Sequence, residues 1–223
     1  MSWTSMIFAA ALAGLSVLAF PIILRRLPLP PDEPTAAPYG DLISRRFGWQ
    51  VGLWCLLALG ISFALTPPGV WLAWAALGTG GILLVVIDAH TRLLPLRLTQ
   101  AVAICAAAGV GIAALQGGST EGPRIALSAA GMALGAGGLF FLFWRLGQGI
   151  GFGDVRLAAI IGAVAGATSL QTATWALLLG SLVGVGWGVT ARLVRGHSDP
   201  FPYGPSLLSG PYLALLAQSV LAR

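Results

Sequence analysis

The sequence contains no lysine. Its twelve basic residues are all arginines, its acids number seven, and charged residues make up only 9% of 223 positions, against about 25% in a soluble domain. So little charge excludes an ordinary water-facing surface. Cysteine is scarce as well: Cys55 and Cys105 each stand alone inside an apolar run. Without Cys-x-x-Cys spacing they exclude a disulfide framework and a cysteine zinc site, and both read as small core residues. The two histidines, His90 and His197, are too far apart for a local metal motif, and His-Glu-x-x-His does not occur. No metal or other cofactor is expected.

What fills the chain instead is hydrocarbon: 57% of residues are hydrophobic and the mean hydropathy is +0.88. This composition defines an all-α polytopic membrane bundle. The net charge of +5 has a plain cause in such a protein, because cationic residues collect in cytoplasmic loops. No nucleic-acid partner is implied, and membrane lipid is the expected surrounding.

Apolar runs at about 3–24, 49–65, 70–87, 98–116, 125–144, 154–168, 172–193 and 206–221 predict eight spans in a single domain over 1–223. The first is too long for a signal-peptide core and reads as a transmembrane helix. Residues 25–48 form a Pro-rich loop carrying Pro28, Pro30, Pro31, Pro34 and Pro38, and residues 194–204 form a polar one. If the 25–48 loop is inside, Arg25, Arg26, Arg45, Arg46, Arg92, Arg97, Arg145, Arg156, Arg192 and Arg195 are cytoplasmic, and only Arg124 and Arg223 lie outside. That asymmetry predicts both termini on the outer side. Trp3, Trp49, Trp71 and Trp144 fall near span ends, as an interfacial belt requires. Glycines at four-residue spacing predict close helix packing: Gly131 and Gly135, Gly162 and Gly166, and Gly180, Gly184 and Gly188.

Two acids stand out against this background. Asp88 ends the third apolar run, and Asp154 follows Gly149, Gly151 and Gly153 at the mouth of the sixth. A carboxylate beside hydrocarbon is costly, so it marks a site by default. Alone, Asp154 reads as a helix cap. The topology, however, brings both acids to one depth on the cytoplasmic side. Two neighbouring carboxylates cannot comfortably both ionise, and a pair sharing one proton suits aspartic-protease chemistry, with one group as base and the other as acid. Asp154, at a helix start, feels the positive end of the helix dipole and is the readier base. Gly151 and Gly153 would let backbone approach an extended peptide closely. From the residues alone, a transporter or channel using the two acids as a proton or ion relay stands beside the protease. The cytoplasmic-edge position of both acids and the lack of matched broken helices count against it. Gly204-Pro205-Ser206 with His197 offers only a superficial serine-protease pattern, and Asp199 reads as a solvated loop acid.

Gly-Phe-Gly-Asp-Val-Arg at 151–156 resembles the Gly-x-Gly-Asp-x-Lys signature of the bacterial type IV prepilin leader peptidases, a family of GxGD-class aspartyl proteases. Asp88 with Leu94-Pro95 resembles their first catalytic motif, and Pro202-Tyr203-Gly204-Pro205 resembles the Pro-Phe-Gly-Pro that opens their last helix. The resemblance implies Asp88 and Asp154 as the catalytic pair. It further implies cleavage of the basic leader of prepilins or pseudopilins at the cytoplasmic face of the bacterial inner membrane. Many members also carry paired Cys-x-x-Cys motifs after the first span and N-methylate the product. Residues 25–48 hold no cysteine and are too few for that domain, so cleavage without a zinc site is the expectation. Arg156 replaces the usual Lys and retains a supporting cation of different geometry.

Overall fold

The computed structural model describes residues 3–28, 39–147, 150–195 and 202–221. The Pro-rich centre of the 25–48 loop, Gly149, His197, Asp199 and Arg223 lie outside the described residues, as do the side chain of Arg195 and the middle of the 194–204 loop. The chain is an all-helical bundle: α1 (Trp3–Arg26), α2 (Arg45–Leu65), α3 (Trp71–Ala76), α4 (Ile82–Thr91), α5 (Leu96–Gln116), α6 (Gly118–Arg145), α7 (Phe152–Thr168), α8 (Leu170–Arg195) and α9 (Gly204–Leu221). Among the described residues six segments are long and apolar enough to cross a membrane: α1, α2, Pro68–Thr91 (which unites α3 and α4), α5, α6 and Leu170–Leu193 of α8. With α7 and α9 they make the eight expected segments.

Local chemistry sets the ends. Ser44 opens α2 by accepting the Phe47 N–H at 3.2 Å, satisfying one of the donors a helix start leaves free. Pro67 and Pro68 separate α2 from α3, since proline cannot continue the preceding helix. The expected span at 125–144 starts earlier, at Gly118, whose φ of +64° turns the chain out of α5. This added stretch is polar, and Glu121 and Arg124 pair across one exposed turn at 2.9 Å.

The third segment holds a feature that periodicity did not reveal. Leu77–Gly81 forms a π-turn between α3 and α4. Its Gly78 is closely approached by Leu59 of α2, so that an added Cβ would lie 2.9 Å from the leucine side chain. A π-turn rotates whatever follows it relative to a continuous α-helix, so the direction in which Asp88 projects is set here.

The centre of the bundle is α7, packed against α5, α6, α8, α9 and the π-turn. Its 17 residues reach only about 26 Å, short of a hydrocarbon core of about 30 Å. Leu157, Ile161, Val164 and Ala165 are fully buried, and a helix apolar on every side belongs inside a bundle. Its glycines explain the closeness: a Cβ on Gly162 would collide with the Met132 carbonyl oxygen, and one on Gly166 would sit 2.8 Å from that of Ser128. Gly180 and Gly210 do the same where α8 meets α9.

Two expectations need correction. Gly131 and Gly135 face open space, because α6 meets α7 through Ala129, Met132 and Gly137, a stripe offset from those glycines. Cys105 is exposed and only Cys55 is core, since Cys105 lies beside Ile104 on the outward side of α5.

Candidate active site

Asp88 sits in the last turn of α4, where its own carbonyl accepts the Arg92 N–H at 2.7 Å. Arg92 closes the helix in the left-handed region, at φ +59°, a conformation that costs a non-glycine residue about 1 kcal/mol. The Asp88 side chain is buried, and its Oδ2 accepts the Gly204 N–H at 3.1 Å. Gly204 opens α9, so this bond ties the end of one helix to the start of another. A Cβ on Gly204 would lie 2.7 Å from the same oxygen. Only glycine brings the amide this close.

Asp154 occupies the first turn of α7 and is likewise buried. Its Oδ2 accepts the Gly151 N–H at 3.1 Å, while the Asp154 N–H donates to the Gly151 carbonyl at 3.0 Å. The capping role that the sequence allows is therefore real, but it uses one oxygen only. Oδ1 is buried and has no hydrogen-bond partner among the described residues. Asp88 lies within electrostatic reach of Asp154, so the two acids share one end of the bundle. A buried carboxylate oxygen without a partner is costly, and such an atom is what a reacting water would satisfy.

The remaining sequence candidates fall around this pair. Gly151 is exposed at the mouth of α7. The open side of Gly153 faces Leu94, whose side chain would lie 2.8 Å from an added Cβ. The glycine thus lets the turn after Asp88 rest on the start of α7. Arg156 is half-buried with its guanidinium 4.6 Å from the Phe152 ring centroid, and Phe152 in turn meets Trp144 edge-on at 5.0 Å. Among the described residues the only ion pair is Glu121–Arg124, so Arg156 bridges neither aspartate. His90 points away from Asp88: its Nδ1 lies 2.8 Å from the Val86 carbonyl and its ring packs against Phe47. Ser206 is buried inside the first turn of α9. Among the described residues no three His, Cys, Asp or Glu side chains cluster as a metal site would require.

Sequence reasoning did not assign Gly204 or Leu94 to the site. The signal was present in the Leu94-Pro95 and Pro202-Tyr203-Gly204-Pro205 motifs, but nothing local shows that Gly204 meets Asp88 or that Leu94 rests against Gly153.

The fold and the paired acids define a class: polytopic helical membrane proteins with two buried carboxylates at one end of the bundle. Residues 75–189 match the family model described as the type IV leader peptidase family. The chain is 33% identical over 188 residues to a prepilin leader peptidase/N-methyltransferase of Aeromonas salmonicida (strain A449), covering 81% of this chain and 61% of that protein. It is 32% identical over 188 residues, with the same coverage, to the protein of that name from Aeromonas hydrophila. Against that of Bacillus subtilis (strain 168) it is 38% identical over 69 residues, 30% of this chain and 27% of that one. No solved structure matches. The chain belongs to the type IV leader peptidase family. It spans 61% of the length of the Aeromonas relatives.

Proposed function

We propose that this chain is a multi-pass aspartyl endopeptidase of the bacterial inner membrane that removes the leader of prepilin- or pseudopilin-like substrates. The observation that carries the reading is the pairing of Asp88 and Asp154, both buried, each held through one oxygen by a backbone amide. The arginine distribution supports an active site on the cytoplasmic side.

In this mechanism Asp154 is the base and Asp88 carries the proton. Water attacks the scissile carbonyl carbon; one of its protons goes to Asp154 while Asp88 protonates the carbonyl oxygen. The tetrahedral intermediate then collapses. The C–N bond breaks, Asp154 returns its proton to the leaving amine, and Asp88 recovers a proton from a hydroxyl of the intermediate. Both groups end as they began. The Oδ1 of Asp154, without a partner among the described residues, supports its role as the atom that receives the water proton. Arg156 keeps Phe152 and the first turn of α7 in place instead of neutralising a carboxylate.

The test uses the full chain in liposomes with a synthetic substrate: a basic leader, a glycine at the cleavage point and an apolar helix. Asp88→Asn and Asp154→Asn each reduce cleavage by at least about 10³-fold while remaining folded and inserted. Near-normal cleavage by either variant overturns the reading. Proton or solute flux without proteolysis would favour the relay alternative.

A further inference from the structure

A groove of about 950 Å³ runs between α1 and α2, and neither aspartate nor any residue holding one lines it. Small residues create it. A Cβ on Gly48 would lie 3.1 Å from the Phe20 ring and one on Gly52 2.8 Å from Val17, so the two helices meet closely along its floor. A Cβ on Gly14 would meet nothing within 4 Å, and with Ala10 this leaves the α1 wall low. The opposite wall carries Trp49, Leu53 and Trp54, all exposed. At one end the lining changes character, with Ser44 followed by the exposed Arg45 and Arg46 in the first turn of α2. That turn contains no acid, and among the described residues the only ion pair is Glu121–Arg124 on α6. Phe20 and Phe47 are in ring contact at 5.5 Å, so Arg25 and Arg26, which close α1, stand beside the same end. From that end inward the order is cations, an interfacial tryptophan, then hydrocarbon.

We propose that this groove is a selective site for one anionic phospholipid, its phosphate at Arg45 and Arg46 and an acyl chain along Ala10, Gly14 and Gly52. The order of the lining is the order of such a molecule: phosphate, ester level, hydrocarbon. Basic pockets between helices on the cytoplasmic side are suited to acidic headgroups, and guanidinium groups match phosphate oxygens in geometry as well as charge. Net negative charge is what the site selects. The positive end of the α2 dipole adds to the arginines, so a zwitterionic headgroup would bring its own ammonium against several like charges. Gln50, one turn beyond Arg46, also lines the groove, and its buried Oε1 has no partner among the described residues. A carboxamide there can serve a lipid hydroxyl or, turned over, an ester carbonyl. A soluble phosphate would leave the apolar length of the groove unfilled, and a basic leader peptide would be repelled from its charged end. The inference does not depend on the aspartyl reading; it needs only that α1 and α2 lie in a membrane.

The experiment titrates the full chain in detergent micelles with dioleoyl phosphatidylglycerol, with dioleoyl phosphatidylcholine of the same chains, and with glycerol 3-phosphate, which has the phosphate and no chains. A ligand bound only by the folded state raises the thermal midpoint by mass action. Phosphatidylglycerol is expected to raise it by roughly 5 °C at saturation, with an apparent affinity about tenfold above that of phosphatidylcholine; glycerol 3-phosphate leaves it unmoved. Arg45→Gln/Arg46→Gln removes the preference between the two lipids. Gly14→Leu fills the groove and removes the phosphatidylglycerol shift, whereas Gly111→Leu, on α5 and also facing open space, retains it. Circular dichroism checks that each variant keeps its helices, and Gly14→Leu tests the site even where the double arginine variant does not fold. Equal shifts with both lipids in the wild type mark an ordinary lipid-facing surface and overturn the proposal. So does a preference that survives the arginine substitutions, a phosphatidylglycerol shift that survives Gly14→Leu, or a shift of the same size with glycerol 3-phosphate. A preference that appears only after Asp32→Asn/Glu33→Gln assigns the arginines to their own loop and overturns it as well.

Discussion

The Gly204 amide donates to the Asp88 carboxylate at 3.1 Å across a separation of 116 residues. This single bond joins the last turn of α4 to the first turn of α9, and it requires that residue 204 have no side chain.

Gly204→Ala tests that requirement. The added methyl would fall 2.7 Å from Asp88 Oδ2 and 3.4 Å from Val85, so the carboxylate must move. A displacement of about 1 Å at a reacting group costs on the order of 10²-fold in rate. Cleavage is expected to fall by that amount, mainly in kcat, with the helical content measured by circular dichroism preserved. A variant with normal kcat would show that Asp88 needs no such tether.

The central position of α7 makes a stability prediction. Gly162→Val places bulk against the Met132 backbone and should cost about 1–3 kcal/mol through overpacking, read as a lower thermal midpoint in detergent. Gly131→Ala, facing open space, should leave the midpoint unchanged or raise it slightly, because alanine favours the helix by up to about 1 kcal/mol. Equal losses in both variants would contradict the packing of α6 on α7.

Arg156 is expected to matter through its plane. It stacks on Phe152, an interaction of about 0.5–1 kcal/mol at a partly exposed site. Arg156→Lys retains a cation and should lower kcat by no more than about threefold; Arg156→Ala should behave similarly, with both pH limbs unmoved. A loss comparable with that of Asp154→Asn would assign the guanidinium to the reaction instead.

The helical class, the eight segments and the two acids were legible in the sequence. Run length, hydropathy and arginine placement are local quantities, and the cost of a carboxylate in hydrocarbon singles out Asp88 and Asp154 wherever the chain goes. Glycine spacing was legible as a tendency but misleading in α6, because four-residue periodicity says that helices can approach without saying which stripe is used. The face that meets α7 is chosen by its neighbours.

Three features were decided only by tertiary structure. The π-turn at Leu77–Gly81 sets where Asp88 points, and nothing in hydrophobic periodicity encodes that extra rotation. The closeness of Gly204 to Asp88 and of Gly153 to Leu94 depends on helices distant in sequence packing side by side. The division of Asp154 into one capped oxygen and one without a partner among the described residues follows from its place at the start of α7. The sequence by itself determined which residues are expensive to bury. The packing of α4, α7 and α9 determined that they are buried together, because hydrogen bonds and steric exclusion act over a few ångströms and only the assembled bundle brings those atoms within range.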